Sequence, residues 1–250
     1  MKCCISITNT DQHTKRGKLI FDICINSVKK YCDRFKFDLS LHTTPVFKMG
    51  VRYGYNYGTF EKFQVIEDLK KYDRVLRIDS DIIITPECPN LFDIVPEDRI
   101  GAVRENLGDK VRILLRQEQI RLMQCALGKI ELPETLSYFN SGVMILSQQH
   151  VELFQLSHTD ITNALTKNFG LYKEQNLLNY RVLRENLPIY FLPYTFNHMS
   201  MFSQSWNGSP NRKNSNIIHY AGPQESKLQP IIEDHNYFEN ENIKPIKEGL

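Results

Sequence analysis

The chain has 250 residues, 41% hydrophobic and 24% charged, with a formal net charge of +2 at pH 7. This balance is close to the globular average and excludes a disordered or fibrous chain; the small charge excludes nucleic acid as the default partner. No uninterrupted apolar run exceeds four residues, so no segment can span a bilayer as a helix.

Cys3–Thr8 reads as a first strand, because Met-Lys-Cys-Cys-Ile-Ser-Ile-Thr lacks the apolar region of a secretory leader. The six cysteines, none at the two-residue spacing of a zinc or redox motif, are therefore expected to be reduced thiols in a cytoplasmic protein. A polar turn, Asn9–Arg16, precedes Leu19–Tyr31, where Leu19, Ile20, Ile23, Cys24 and Val28 have helical spacing. Phe37–His42 alternates as a second strand. Glu61–Lys71 predicts a helix from Phe63, Ile66 and Leu69. Arg74–Ile78 and Ile82–Thr85 are extended, and Gly101–Arg104 is a short strand. Asp109–Gly128 predicts a long amphipathic helix or helix pair with Val111, Leu114, Leu115, Leu122, Ala126 and Leu127 on its apolar side. Tyr138–Leu146 is a buried strand interrupted by Asn-Ser-Gly. Helices follow at Val151–Phe169 and Glu174–Leu183, and strands at Ile189–Leu192 and Ile217–Tyr220. From about Pro223 the chain is polar and acidic, Lys227, Lys244 and Lys247 facing six carboxylates, and is expected to pack loosely or be disordered. The alternation of strands and helices predicts a single α/β domain over residues 1–222. Its central sheet is Rossmann-like, mostly parallel and covered by helices on both faces.

Four segments carry candidate chemistry. Arg-Val-Leu-Arg-Ile-Asp79-Ser80-Asp81 ends a strand in two carboxylates, at the edge where open α/β sheets bind ligands. Paired carboxylates repel unless neutralised, and their oxygens suit a hard divalent cation; a solvated turn gives the same pattern. Asn140-Ser141-Gly142 puts polar groups inside an apolar strand, so Asn140 must bond either backbone or a ligand. Glu174-Gln175 opens a helix, as an ordinary helix N-terminus also would. His219 ends a strand, with Gly222 three residues later; it is either structural or completes a metal site with the aspartates.

In this order and spacing the segments resemble the retaining nucleotide-sugar glycosyltransferases of the glycogenin and lipopolysaccharide galactosyltransferase type (glycosyltransferase family 8, GT-A fold). Asp79-Ser80-Asp81 is similar to the family's Asp-x-Asp, Phe139-Asn-Ser-Gly to its Phe-Asn-(Ser/Ala)-Gly, Gln175 through Asn179 to its Asp-Gln-x-x-Leu-Asn helix start, and His219-Tyr-Ala-Gly222 to its His-x-x-Gly. The resemblance runs from Cys3 to about Lys227. It implies a UDP-sugar donor, a Mn²⁺ cofactor (or Mg²⁺) held by Asp79, Asp81 and His219, and a saccharide or protein acceptor. Lys62 would add charge near the donor phosphates. Thr8, Asn9 and Asp11 would hold uracil and ribose, with Ser80 beside them. Gln175 would lie beneath the anomeric carbon, and Asn140, Ser141, Glu174 and Glu105 would bond the donor sugar. Gly222 and Lys227 would close over the diphosphate.

The chain departs from the pattern where Glu174 and Glu105 replace aspartates, each pushing a carboxylate one methylene further into the sugar pocket. It departs again where Lys227 stands five residues after Gly222 instead of three. A catalytically inactive nucleotide-sugar-binding scaffold is the alternative function these departures keep open. A haloacid dehalogenase phosphatase fits poorly, since its nucleophilic aspartate lies near the chain start and Asp79 does not. The helix region Arg104–Ile130 carries six basic and three acidic residues: a solvated face, or a lip for an anionic acceptor or for the second subunit of a homodimer. Trp206 reads equally as an acceptor platform or as core. The tail lacks the basic cluster of a strong membrane anchor.

Overall fold

The computed structural model describes residues 1–10, 14–47, 51–52, 55–56, 58–105, 107–134, 136–157, 159–160, 162–163 and 173–239. In chain order the strands are β1 (Cys3–Thr8), β2 (Asp38–His42), β3 (Val51–Arg52), β4 (Tyr55–Asn56), β5 (Arg74–Ile78), β6 (Ile82–Ile84), β7 (Ile100–Arg104), β8 (Phe139–Ser147), β9 (Ile189–Leu192) and β10 (Ile217–His219). The helices are α1 (Lys15–Phe35), α2 (Ile66–Leu69), α3 (Leu91–Ile94), α4 (Lys110–Leu127), α5 (Lys173–Arg184) and α6 (Gln224–Glu239). Six strands form one sheet in the order β2-β1-β5-β8-β7-β9; β3 pairs with β4, and β6 with β10.

Within the six-stranded sheet only β8 runs against its neighbours, so the sheet is mostly parallel as expected. That reversal decides where the site forms. The carboxyl ends of β1, β5 and β7 share one edge with the amino end of β8, which gathers Asn9, Asp79, Glu105 and Asn140 there. Apolar layers cover both faces, one built with α4 and α5 and the other with α1, giving the expected single α/β domain. Helix α1 begins where Thr14 Oγ1 accepts the Gly17 N–H (2.9 Å) and ends at Lys36 in the left-handed region (φ 60°).

Four expectations change. Glu61–Lys71 is not one helix: Gly58–Val65 is 3₁₀ and Ile66–Leu69 is α-helical. The helix expected over Val151–Phe169 does not open at Val151, where Gln148–Phe154 is 3₁₀; residues 159–160 and 162–163 are helical, and 158, 161 and 164–172 lie outside the described residues. Helix α4 buries Arg116, Gln119, Ile120, Met123 and Ala126, leaving Val111, Leu114 and Leu115 at 66, 66 and 52% exposure. The inward turn of Arg116 toward Glu105 sets that phase. Finally, residues 224–239 of the supposedly loose tail form α6: Ile231 and Ile232 pack with Ile20, Ile23, Ile83 and Ile218. Its buried Asp234 accepts from Arg212 Nε (2.5 Å) and Tyr220 Oη (2.6 Å). The acidic composition marked a solvated face and hid one apolar stripe. Residues 240–250 lie outside the described residues.

Candidate active site

A cavity of about 400 Å³ opens at the carboxyl edge of the sheet. Thr8 and Asn9 line it from the end of β1, Lys62 from the 3₁₀ segment, Asp79, Ser80 and Asp81 from the turn between β5 and β6, Gly222 from just before α6 and Lys227 from the first turn of α6. Asp11 lies outside the described residues. The turn is fixed by backbone: Asp79 N–H donates to Gly142 O (2.9 Å) and Tyr220 N–H to Asp81 O (3.0 Å), so β8 and β10 both hold it.

Asp79, Asp81 and His219 each offer one ligand atom, all within 4.8 Å of one another, and His219 Nε2 lies 3.5 Å from a carboxylate oxygen of each aspartate. Cationic side chains surround the pair. Lys62 Nζ donates to Asp79 (3.1 Å) and to Glu174 Oε1 (3.3 Å), Lys227 Nζ to Asp81 Oδ2 (2.7 Å), and the buried Arg77 guanidinium to Asp79 and the Ser141 carbonyl. Burial alone would raise the Asp79 carboxyl, but Arg77, Lys62 and His219 together hold it well below the usual range. Burial likewise opposes Asp81, and the His219 hydrogen bond with the charges of His219 and Lys227 keeps it low. Both are ionised at neutral pH, as cation ligands must be. Two hard oxygen donors and one imidazole suit Mn²⁺ and, less well, Mg²⁺.

Behind this cluster stands a buried polar wall. Between Ala102 and Val103 the β7–β8 register jumps from Met144 to Asn140, so Ser141–Val143 bulge out of that ladder. Asn140 takes the backbone partner its position allowed, Oδ1 accepting the Gly142 N–H (2.8 Å), and its Nδ2 donates to a side chain, Gln175 Oε1 (3.0 Å). Gln175 Oε1 also accepts the Ser141 N–H (3.0 Å), while Gln175 Nε2 donates to Glu105 Oε2 (2.7 Å) and Tyr138 Oη (3.1 Å). Arg116 neutralises Glu105 by a short ion pair, with Arg112 at 3.6 Å. From α5, the Asn179 side chain pairs with the Phe139 backbone as a peptide would, accepting at 2.9 Å and donating at 3.0 Å.

The anticipated residues thus fall into two groups. Thr8, Asn9, Lys62, Asp79, Ser80, Asp81, Gly222 and Lys227 line the cavity; Glu105, Asn140, Ser141, Glu174, Gln175 and His219 are buried beside it. The five-residue spacing after Gly222 is absorbed because α6 starts at Gln224 and returns Lys227 to Asp81. Trp206 stands outside the cavity lining, 37% exposed, packed on Phe202 and over Gly108. Sequence reading missed Arg77, Arg116, Tyr138 and Asn197. A charged residue inside the apolar run Arg-Val-Leu-Arg-Ile was the available signal for Arg77; Asn197, from a segment after β9, carried none.

Residues 9–226 match the sequence profile of glycosyl transferase family 8. No curated protein matches the sequence significantly. Among solved structures, the chain is similar to a glycosyltransferase involved in glycosylation of the major capsid of PBCV-1: 14% identity, 92% of this chain, 98% of that one, TM-score 0.57. It is similar to the galactosyltransferase LgtC, crystallised with donor and acceptor sugar analogues, at 15% identity, 94% and 96% coverage, TM-score 0.59. It is also similar to mouse xyloside xylosyltransferase 1, at 13% identity, 88% and 97% coverage, TM-score 0.50.

Proposed function

The chain belongs to glycosyltransferase family 8, and on that premise we propose that it is a divalent-cation-dependent, retaining hexosyltransferase that takes its sugar from a UDP-sugar and delivers it to a hydroxyl of a saccharide or protein. One observation carries the reading: the Asp79–Asp81–His219 cluster opens into a cavity flanked by two lysines, the arrangement a cation-bridged diphosphate requires. Solved structures of similar fold include proteins named for galactosyl and xylosyl transfer, so the fold leaves the donor sugar to local residues.

Asp79, Asp81 and His219 would hold Mn²⁺, which when bound supplies Lewis-acid stabilisation of the departing diphosphate. Lys227 would leave Asp81 for a phosphate oxygen, and Lys62 would set its charge between the diphosphate and Glu174. Thr8 and Asn9, which line the cavity from the end of β1, suit the nucleoside. Glu174, Glu105, Asn140 and Ser141 would bond sugar hydroxyls. For Gln175 the reading is narrower than the sequence allowed. Its Oε1 already accepts from Asn140 and Ser141, and a covalent intermediate there would have to displace the Ser141 backbone donor. Attack on the face from which the diphosphate departs needs no such change, and Gln175 then steadies the wall beneath the anomeric carbon.

A thermal-shift and calorimetric screen of UDP- and GDP-sugars with and without Mn²⁺ tests the proposal, because binding to the native state raises Tm by mass action. We expect one UDP-hexose to stabilise the protein only with the cation, and NMR of the product to show a retained anomeric configuration. No cation-linked binding of any activated sugar would overturn it, and binding without turnover would leave a scaffold.

A further inference from the structure

We propose that Asn197 is a positioning residue that fixes the tautomer of His219 and ties the cation cluster to the buried sugar-side wall. This rests on reading Asp79, Asp81 and His219 as cation ligands. A chain of hydrogen bonds links Asn140, Asn197 and His219, and each donor in it fixes the next acceptor. Gly142 N–H can only donate, and it meets Asn140 Oδ1 at 2.8 Å, so that atom is oxygen and an acceptor. The side-chain atom of Asn197 lying 2.9 Å from Asn140 Oδ1 must then be the amide nitrogen. The Asn197 oxygen consequently faces His219 Nδ1, at 2.9 Å, and Nδ1 must carry the proton. Nε2 is then the ring nitrogen that faces the two aspartates, 3.5 Å from an oxygen of each, and the one left to bind a cation.

The other end of Asn140 closes the chain independently. Ser141 N–H fixes Gln175 Oε1 as oxygen, which requires the Asn140 atom beside it to be nitrogen, as the first step already demanded. Asn197 is fully buried and His219 and Asn140 nearly so, so water offers no substitute partner. The backbone holds Asn197 in place: His198 N–H donates to Ile217 O (2.9 Å) and His219 N–H to His198 O (3.1 Å), laying this segment along β10. A metal-bound imidazole is commonly oriented by an acceptor on its other nitrogen, and loss of that acceptor typically costs 10–100-fold in metal affinity. Asn197 is such an acceptor, and it has the further property that its amide N–H reaches the strand that bears Asn140.

The test uses the full chain, ¹⁵N-labelled at histidine and free of cations, followed by Mn²⁺ titration. Long-range ¹H–¹⁵N correlation should show His219 in the Nδ1–H form in the wild type and in mixed forms in Asn197→Ala, with Mn²⁺ affinity in that variant at least ten-fold weaker. Asn197→Asp keeps the acceptor for Nδ1–H but loses the donor to Asn140. It should hold the tautomer and the Mn²⁺ affinity while UDP-sugar binding weakens. A wild-type His219 whose Nδ1 carries no proton overturns the proposal, even if the variants fail to fold. Unchanged tautomer and Mn²⁺ affinity in Asn197→Ala overturn it too. A wild type that binds no Mn²⁺ while keeping the Nδ1–H form refutes the cation reading instead, so the two failures are told apart.

Discussion

Gly142 is the smallest residue in the Phe-Asn-Ser-Gly segment and the one with least room to change. A Cβ added there would lie 2.3 Å from His219 Cε1 and 2.7 Å from both His219 Nδ1 and Asn140 Oδ1, more than 1 Å inside ordinary contact with the ring. Neither side yields freely. The strand is pinned by the Asp79 N–H on Gly142 O (2.9 Å), and the imidazole by Asn197 (2.9 Å). Overpacking of a tight interior costs about 1–3 kcal/mol, and a ring displaced by about 1 Å also forfeits a buried hydrogen bond worth ~1 kcal/mol. Gly142→Ala should therefore lose roughly 3 kcal/mol, read as a drop of about 1 M in the urea midpoint without cations. Mn²⁺ affinity should fall at least ten-fold, because the displaced ring carries Nε2 away from Asp79 and Asp81. Gly208→Ala is the control: nothing lies within 4 Å of its added Cβ, and only the left-handed backbone (φ +73°) penalises it, by about 1 kcal/mol. A Gly142→Ala chain no less stable than Gly208→Ala, with wild-type Mn²⁺ affinity, would refute the packing argument.

Lys227→Ala removes a charged donor to phosphate, worth about 1.5–3 kcal/mol, so UDP should bind roughly 10–100-fold more weakly by calorimetry while Mn²⁺ binds no worse. Arg116→Met leaves the buried Glu105 carboxylate its neutral donor from Gln175 and, of the two arginines beside it, the half-exposed Arg112 at 3.6 Å; we expect a loss of about 3 kcal/mol in urea denaturation, largely recovered by adding Glu105→Gln. Burial, reinforced by Arg74 at His150 and by Arg212 at His198, pushes both imidazoles down to about 4. The unfolded chain takes up these protons near pH 6.5 and the folded one only near 4, so stability is whole above pH 6.5. It falls between 6.5 and 4, by up to about 3 kcal/mol per histidine. His150→Asn, still able to accept the Ser147 N–H, should flatten that pH slope by about half, and an unaltered slope would refute the assignment.

Local chemistry was legible where one segment carried it whole. The β5 strand running into Asp79-Ser80-Asp81 announces its own geometry, because an apolar run cannot continue through two carboxylates. The tension in Asn140-Ser141-Gly142 likewise survives into the fold, as a bulge whose Asn side chain serves backbone and wall together. What the sequence concealed depends on pairs far apart. The phase of α4 is set by Arg116 meeting Glu105, an ion pair invisible to a count of apolar residues, and so Val111, Leu114 and Leu115 turned outward against expectation. Asn197 looks like any asparagine in a turn until β10 brings His219 beside it. Lys227, two residues out of its family spacing, regains its position only because α6 is a packed helix and not a loose tail.

The charges of the site make a last prediction. Asp79, Asp81, Glu174 and Glu105 are the acidic groups of the cluster; Lys62, Arg77, Lys227 and Arg116 are each in contact with one of them or more. Four acidic side chains therefore face four cationic ones before any ligand arrives. A divalent cation entering alone must displace Lys227 from Asp81 and leave an excess of positive charge in a half-buried site, where such imbalance is poorly screened. A diphosphate entering alone meets the carboxylates with no cation between. Entering together, each offsets most of the other's charge, and Lys227 exchanges a carboxylate for a phosphate oxygen. Mn²⁺ should therefore bind at least ten-fold more tightly in the presence of saturating UDP, and by linkage UDP should gain the same factor from saturating Mn²⁺. In Lys227→Ala, where the cation no longer has an ammonium to displace, the coupling factor should shrink. Independent binding of the two ligands to the wild type would show that the lysine–aspartate pair does not hold the site in balance.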